Sequence, residues 1–236
     1  MLESLKNKRI LLVVAHPDDE LLGCGGSMHR LIHEYNCYIK VIILGEGITS
    51  RSDNRDTVKW KPELDIHRSN INRAQACIGY QEKGIYDFPD NRFDTVALLD
   101  IIKIIEKEKQ TFLPQVIFTH HGGDLNIDHQ RTFEAVITAC RPIEYEIVQT
   151  IITFETFSGT EWRASSDPKH FIPNLFFEID EKGLQAKIKG MESYEFERRT
   201  YPHPRSPDAL KIAAQRWGIA IGKQYAEAFC VIRMII

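Results

Sequence analysis

The chain has 236 residues, 43% hydrophobic and 27% charged, a globular composition that excludes wholesale disorder and suits a single domain over residues 1–236. Lys plus Arg number 30 against 33 for Asp plus Glu, a formal charge of −3 that argues against nucleic acid or an anionic membrane surface as a partner. The five scattered cysteines form no C-x-x-C pair, which argues against a disulfide scaffold or a thiolate zinc site and points to a reducing cytoplasm.

In chain order, the first element is the continuously apolar run Ile10–Val14, which reads as a strand covered on both faces. Extended to Ala15 it is only six residues long, too short for a signal-peptide core or a membrane span, so no integral membrane segment is expected. Met28, Leu31, Ile32 and Tyr35 recur at helical spacing and lead into a second apolar strand, Tyr38–Leu44. Residues 50–65 are polar and irregular and read as a surface loop. Leu98, Ile101, Ile102 and Ile105 mark another helix face, which Asp94 is placed to cap because a carboxylate accepts hydrogen bonds from first-turn amides. A third buried strand follows at Val116–Thr119. Loops over 158–174 and 200–208 then separate a strand at Phe176–Ile179, a helix at Ser206–Gly222 and a last apolar segment, Phe229–Ile236. Helix and strand in alternation predict an α/β fold, a mostly parallel sheet flanked by helices.

The chemistry-bearing residues gather at two predicted strand ends. His16-Pro17-Asp18-Asp19-Glu20 follows the first strand, and open parallel sheets bind ligands beyond the carboxyl ends of their strands. Adjacent carboxylates beside an apolar strand end are costly to desolvate unless a cation or a helix N-terminus relieves them. His16 and Asp19 are placed to face one metal ion, with Asp18 left unliganded next to it; the same acids also suit the first turn of a helix as caps. A second cluster, Thr119 to His129, follows the third strand and holds three histidines, two aspartates and an asparagine. Asp128 reads as the N-cap of a helix whose apolar face is Phe133, Val136 and Cys140, and His129 lies on that face. With His16 and Asp19 it makes a two-histidine, one-carboxylate set, and catalytic zinc commonly takes three protein ligands and leaves a position for water. Gly23, Gly25 and Gly26 do not match G-x-G-x-x-G; they read as permitting close approach of backbone to the site.

These residues resemble the LmbE-like/PIG-L family of zinc-dependent N-acetylglucosaminyl de-N-acetylases. The likeness rests on His16-Pro17-Asp18-Asp19-Glu20 and Asn126-Ile127-Asp128-His129. Supporting matches are Phe88 to Asp94, Pro202-His203-Pro204-Arg205-Ser206 and Tyr225-Ala226-Glu227-Ala228-Phe229. The resemblance implies a Rossmann-like fold and removal of the N-acetyl group from a GlcNAc-type sugar or glycoconjugate. It implies Zn2+ on His16, Asp19 and His129, with Fe2+ or cobalt also suited to such a site, and Asp18 as general base. Several family members carry a histidine three residues before the last ligand. Here that position is Asn126, which can donate to an oxyanion but cannot titrate, so the returning proton falls to Asp18, His121 or His203.

The candidate substrate contacts are Arg51, Asp90, Asn91 and His203. Asp90 and Asn91 equally suit plain turn chemistry, Arg51 a solvated loop, and His203 a stiff loop between two prolines. Two other functions fit the same residue types: a two-metal phosphoester or other amide hydrolase using Asp18, Asp19, Asp124 and Asp128, and a non-catalytic sugar or nucleotide module. The expected partner is a small-molecule or glycoconjugate N-acetyl sugar, and a homo-oligomer is left open.

Overall fold

A computed structural model describes residues 2–235. The run Arg9–Val14 forms β1, and it lies inside the sheet rather than at its edge. β2 (Tyr38–Gly45) and β4 (Val116–His120) flank it in parallel, with Leu12 level with Val41 on one side and Phe118 on the other. β3 (Glu82–Phe88), β5 (Thr150–Phe154), β6 (Leu175–Ile179) and β7 (Tyr225–Met234) complete the strands of the described residues. Their order is β3-β2-β1-β4-β5-β7-β6, and only the pairings of β7 with β5 and β6 are antiparallel.

The alternation of a strand sends successive side chains to opposite faces, and both faces are covered. Leu12 and Val14 enter a core with Met28 and Leu31 of α2 (Asp19–His33), Ile71 of α3 (Lys61–Ile78) and Leu184 of α6 (Glu181–Glu192). Leu11 and Val13 enter the opposite core with Ile101 and Ile105 of α4 (Leu98–Phe112) and Val136 of α5 (Ile127–Ala139). This double cover is why β1, β2 and β4 are mostly apolar on both faces, Lys40 being the one charge within them beyond Arg9 at the start of β1 and His120 at the end of β4. A short α1 (Leu2–Leu5) precedes the sheet, and α7 (Pro207–Ala220) begins at Ser206, whose hydroxyl accepts from the Ala209 amide. Among the described residues no helix is long and apolar enough to cross a membrane.

Several local expectations are corrected. Asp94 sits in a short turn and caps nothing; α4 starts after Ala97 without a side-chain cap. The cap of α5 is Asn126, whose Oδ1 accepts from the Asp128 amide at 2.8 Å, so Asp128 lies inside the first turn with its carboxylate directed elsewhere. Residues 61–65 belong to α3 rather than to the loop before it. Gly23 and Gly26 serve helix–sheet packing instead of backbone approach to the site. A Cβ on Gly23 would lie 2.2 Å from the Phe154 ring and one on Gly26 2.7 Å from Ile179. At Cys24, between these glycines, α2 leaves helical geometry (φ −152°). The Glu227 carboxylate of β7 accepts from the amides of Gly26 (3.2 Å) and Ser27 (2.7 Å), restarting the helix, and is itself paired with the buried Lys187 Nζ at 2.7 Å.

Candidate metal centre

β1 and β4 are neighbours in the sheet, yet the chain leaves them toward opposite sides, to β2 and to β5. That reversal opens a crevice at their carboxyl ends. Pro17 ends β1 there, and the turn after it carries His16, Asp18 and Asp19 to the crevice floor. α5, starting just beyond β4, brings in His129. All four are buried.

The donor atoms converge. Asp19 Oδ2 lies 3.4 Å from His16 Nδ1 and 3.3 Å from His129 Nε2. Metal bonds of about 2.0–2.2 Å at tetrahedral angles put neighbouring donors roughly 3.4 Å apart, so the three are spaced as ligands of one small divalent ion. Among the described residues, His16, Asp19 and His129 form one of two acid–histidine groups of metal-holding compactness. His129 gives an independent sign. It is 4% exposed, and its ring nitrogens meet only the Asp19 and Asp124 carboxylates, without hydrogen-bond alignment, as a buried imidazole poised for a ligand position would.

Each of these histidines has a carboxylate on its other nitrogen. Asp124 Oδ2 lies 3.2 Å from His129 Nδ1, and Asp128 Oδ2 lies 2.8 Å from His16 Nε2. Such partners fix the tautomer and aim the free lone pair at the cation. Burial opposes a charged His129, but Asp19 and Asp124 outweigh it and raise its pKa to about 9. The crevice thus favours a cation strongly, whether a proton or a metal ion. Asp128 is held in turn by the amides of Asn91 (2.6 Å) and Phe93 (2.8 Å). The second compact group, His16, Asp90 and Asp128, shares His16 with the first, and Asp128 has already spent its oxygens on these donors. The residues therefore suit one ion better than the bridged pair of a two-metal hydrolase.

His120 stacks flat on His129 at 3.9 Å, with Nε2 accepting from the Ala15 amide and Nδ1 bonded to Thr156 Oγ1. Both nitrogens are used and burial drops its pKa to about 3, so it is a neutral wall behind the ligand. Asp18 occupies the N-cap position of α2 at φ 101°, a left-handed conformation rare outside glycine, and its side chain makes no cap bond. The carboxylate instead turns into the crevice. Its Oδ2 lies 3.1 Å from Arg205 Nη1, paired by charge without hydrogen-bond alignment. Burial pushes the Asp18 carboxyl well above the usual range, and the Arg205 guanidinium pulls the other way.

The pocket over these groups has a volume of about 100 Å³ and also reaches Arg51, Asp90, Asn91 and Asn126. Asp90 is fixed by Ser50 Oγ (2.6 Å) and by its neighbour's amide, Asn91 Nδ2 (3.0 Å). Asn126 donates from Nδ2 to Asn91 Oδ1 at 3.0 Å. Arg51 bonds the Phe196 carbonyl and Glu197, whose carboxylate also takes Arg205 at 2.6 Å. His203 lies outside this lining: its Nδ1 accepts from the Arg205 amide and shapes the turn that delivers Arg205. His121 bonds the Lys169 carbonyl and packs on Phe171, also outside the lining. The groups not foreseen are Asp124 and Asp128 as orienting carboxylates, Glu197, and Arg205. Arg205 stands in the Pro202-His203-Pro204-Arg205 motif, two residues after the histidine expected to contact substrate.

Comparison with known proteins addresses the family and the fold. Residues 11–140 match the family model PIG-L, GlcNAc-PI de-N-acetylase. An Escherichia coli (strain K12) protein named uncharacterized deacetylase YaiS is 27% identical over 194 residues, covering 80% of this chain and 91% of its own length. The N,N'-diacetylchitobiose deacetylase of Pyrococcus horikoshii shares the fold with a TM-score of 0.72 at 16% identity, over 96% of this chain and 84% of that one. The 4-carboxy-2-hydroxymuconate hydratase GalB of Pseudomonas putida KT2440 does so with a TM-score of 0.70 at 18% identity, over 97% and 98%. The family model spans both strand-end clusters and more than half of the chain, and this protein belongs to the PIG-L family.

Proposed function

We propose that this protein is a divalent-metal-dependent hydrolase, with zinc the expected ion, that removes the N-acetyl group from a GlcNAc-type sugar. The observation that carries the reading is the pair of imidazole nitrogens 3.3–3.4 Å from Asp19 Oδ2 with an unliganded Asp18 beside them. The fold alone does not choose the reaction, since a hydratase shares it. The family model and the deacetylase names of two relatives favour amide hydrolysis.

His16, Asp19 and His129 would hold the ion, which when bound supplies a Lewis acid for the amide carbonyl and lowers the pKa of water. Asp18 receives the proton of the attacking water, and Arg205 holds that carboxylate in the crevice against the repulsion of Asp19. Asn126, which lines the pocket, would donate its remaining amide hydrogen to the oxygen on which charge develops. Because Asn126 cannot titrate, Asp18 is also the group that returns the proton to the departing amine. Arg51, Asp90 and Asn91 are the proposed sugar contacts, and Arg205 takes the place at the pocket expected for His203.

The test is acetate release from N-acetylglucosaminides by metal-replete protein. Chelation is expected to abolish it and zinc to restore it. Asp18→Asn, tolerated where φ is positive, is expected to lower kcat by about 10²–10⁴-fold with zinc content unchanged. Turnover indifferent to chelation or to this substitution overturns the reading.

A further inference from the structure

The turn between β1 and α2 is held in a conformation that its own residue disfavours. Asp18 stands at φ 101° and ψ −25°, which a side chain with a Cβ adopts only where its surroundings over-determine it. The Asp18 carbonyl accepts from the amides of Leu21 and Leu22, both at 3.0 Å, so the strained residue is also the first acceptor of α2. Its carboxylate takes no part in that start and lies beside Arg205 instead.

The amide of Asp18 is held by a carboxylate that does not reach the pocket. Glu20 Oε2 accepts from the Asp18 N–H at 3.1 Å, and Glu20 Oε1 accepts from the Tyr194 hydroxyl. Glu20 is 2% exposed and Tyr194 fully buried, and neither lines the pocket. Glu20 also belongs to neither of the compact acid–histidine groups. Tyr194 sits in the turn after α6, with its amide bonded to the Met191 carbonyl at 3.1 Å, and its ring meets His67 of α3 edge-on at 6.4 Å. The hydroxyl is thus placed by α6 and α3, and Glu20 passes that placement on to Asp18.

A first-turn acid that reaches back to the amide of the cap residue is half of a capping box. The other half, a bond from the cap side chain into the helix, is missing here because the Asp18 carboxylate is turned into the crevice. The back-bond from Glu20 therefore does more than start a helix. With the cap side chain diverted, it is what ties the backbone of Asp18 to the body of the molecule.

We propose that Glu20 and Tyr194 are positioning residues for the reaction: their hydrogen-bonded pair fixes Asp18 in its left-handed turn and so keeps the carboxylate directed into the crevice. The proposal rests on the reading of Asp18 as the base. Arg205 holds the acid end of Asp18 and Glu20 the backbone end. Without the second hold the backbone relaxes toward an ordinary helical φ and carries the carboxylate out of line, and a misplacement of about 1 Å costs on the order of 10²-fold in rate.

Three variants separate the hydrogen bonds from the charge. Tyr194→Phe deletes one hydroxyl and keeps the ring, and Glu20→Ala deletes both acceptors. Glu20→Gln keeps an acceptor for the Asp18 amide and offers Nε2 to the Tyr194 oxygen. In acetate release by zinc-replete protein, kcat is expected to fall about 10²-fold in Glu20→Ala and about tenfold in Tyr194→Phe, with KM and zinc content unchanged. Glu20→Gln is expected to recover most of what Glu20→Ala loses. Combined with Asp18→Asn, Glu20→Ala is expected to cost nothing further, because its effect passes through Asp18. Crystal structures of zinc-loaded Tyr194→Phe and Glu20→Ala give a readout free of turnover. In them Asp18 is expected to leave φ near 101° and its Oδ2 to part from Arg205 Nη1, now 3.1 Å away. An unmoved Asp18, lost zinc, full additivity with Asp18→Asn, or a Glu20→Gln protein as impaired as Glu20→Ala each overturns the proposal. Tyr194→Phe preserves the buried shape, so it decides the matter where Glu20→Ala fails to fold, and an unchanged kcat there overturns the proposal too. Absence of acetate release by the unsubstituted protein removes the deacetylase reading instead, and the crystallographic comparison still decides whether Glu20 and Tyr194 hold Asp18.

Discussion

The imidazole nitrogens proposed to face a metal are set by carboxylates that would not touch the ion. Asp124 and Asp128 are fully buried behind His129 and His16, and each holds one imidazole nitrogen so that the other faces Asp19. Asp124→Asn keeps the shape but removes the charge that fixes the His129 tautomer. It is expected to weaken zinc binding by about 10–100-fold in competition with a chelating dye. Unchanged affinity would show that the Asp124 contact does not orient the ligand. At this scale the sequence was informative about types and less so about partners. His16, Asp18, Asp19 and His129 stood out because acids and imidazoles at the ends of apolar strands are costly unless they bind something. Asp128 read as a helix cap because its position in the chain suits both roles. Only the fold shows its oxygens taken by His16 and by two amides of the segment after β3. Arg205 reaches Asp18 from the far end of the chain, and no local spacing announces such a pair.

Among the elements, α2 carries the most consequence, since its first residues are the site and its body must press on the sheet. The kink at Cys24 frees two amides, and Glu227 accepts from both while neutralising Lys187. Lys187 is 3% exposed and Glu227 4%, so Glu227→Gln leaves a buried ammonium without its counter-charge. The expected loss is about 3–5 kcal/mol in denaturant unfolding. A loss below ~1 kcal/mol, the worth of an exposed pair, would mean that water reaches it. β1, β2 and β4 were legible because helices cover both of their faces and permit mostly apolar runs. β3 was not, since it is a half-exposed edge strand, Glu-Lys-Gly-Ile-Tyr-Asp-Phe, with no clean period. β7 starts at Tyr225, before the apolar segment that suggested it, because Glu227 is a buried charge that hydropathy reads as solvent-facing.

Across the whole molecule, stability should carry a pH dependence to which a group away from the candidate metal centre contributes. Glu155, at the end of β5, is buried, and burial pushes its carboxyl up to about 7 against the opposing hydrogen bond from Trp217 Nε1. Between the ordinary carboxyl pKa of about 4.3 and this raised value the folded chain keeps a proton that the unfolded chain has lost. Stability from this group is therefore present at low pH and falls as pH rises through that window, by roughly 3 kcal/mol in all. Glu155→Gln, which stays neutral, should reduce the difference between unfolding free energies at pH 5 and pH 7.5, leaving the part that the similarly raised Glu20 supplies. An unchanged slope would place the titration elsewhere.

The sequence by itself determined the class of fold and singled out the residues proposed as metal donors, because both are written locally, in apolar runs and in what stands at their ends. The tertiary structure alone decided the aim of each imidazole, the carboxylates behind them and the arrival of Arg205 in place of His203. It also decided the link from the Asp18 turn through Glu20 to Tyr194. These depend on β1 lying between β2 and β4 and on late segments folding back over the crevice. Contacts between residues so far apart in the chain arise from packing and leave no period in the order of the residues.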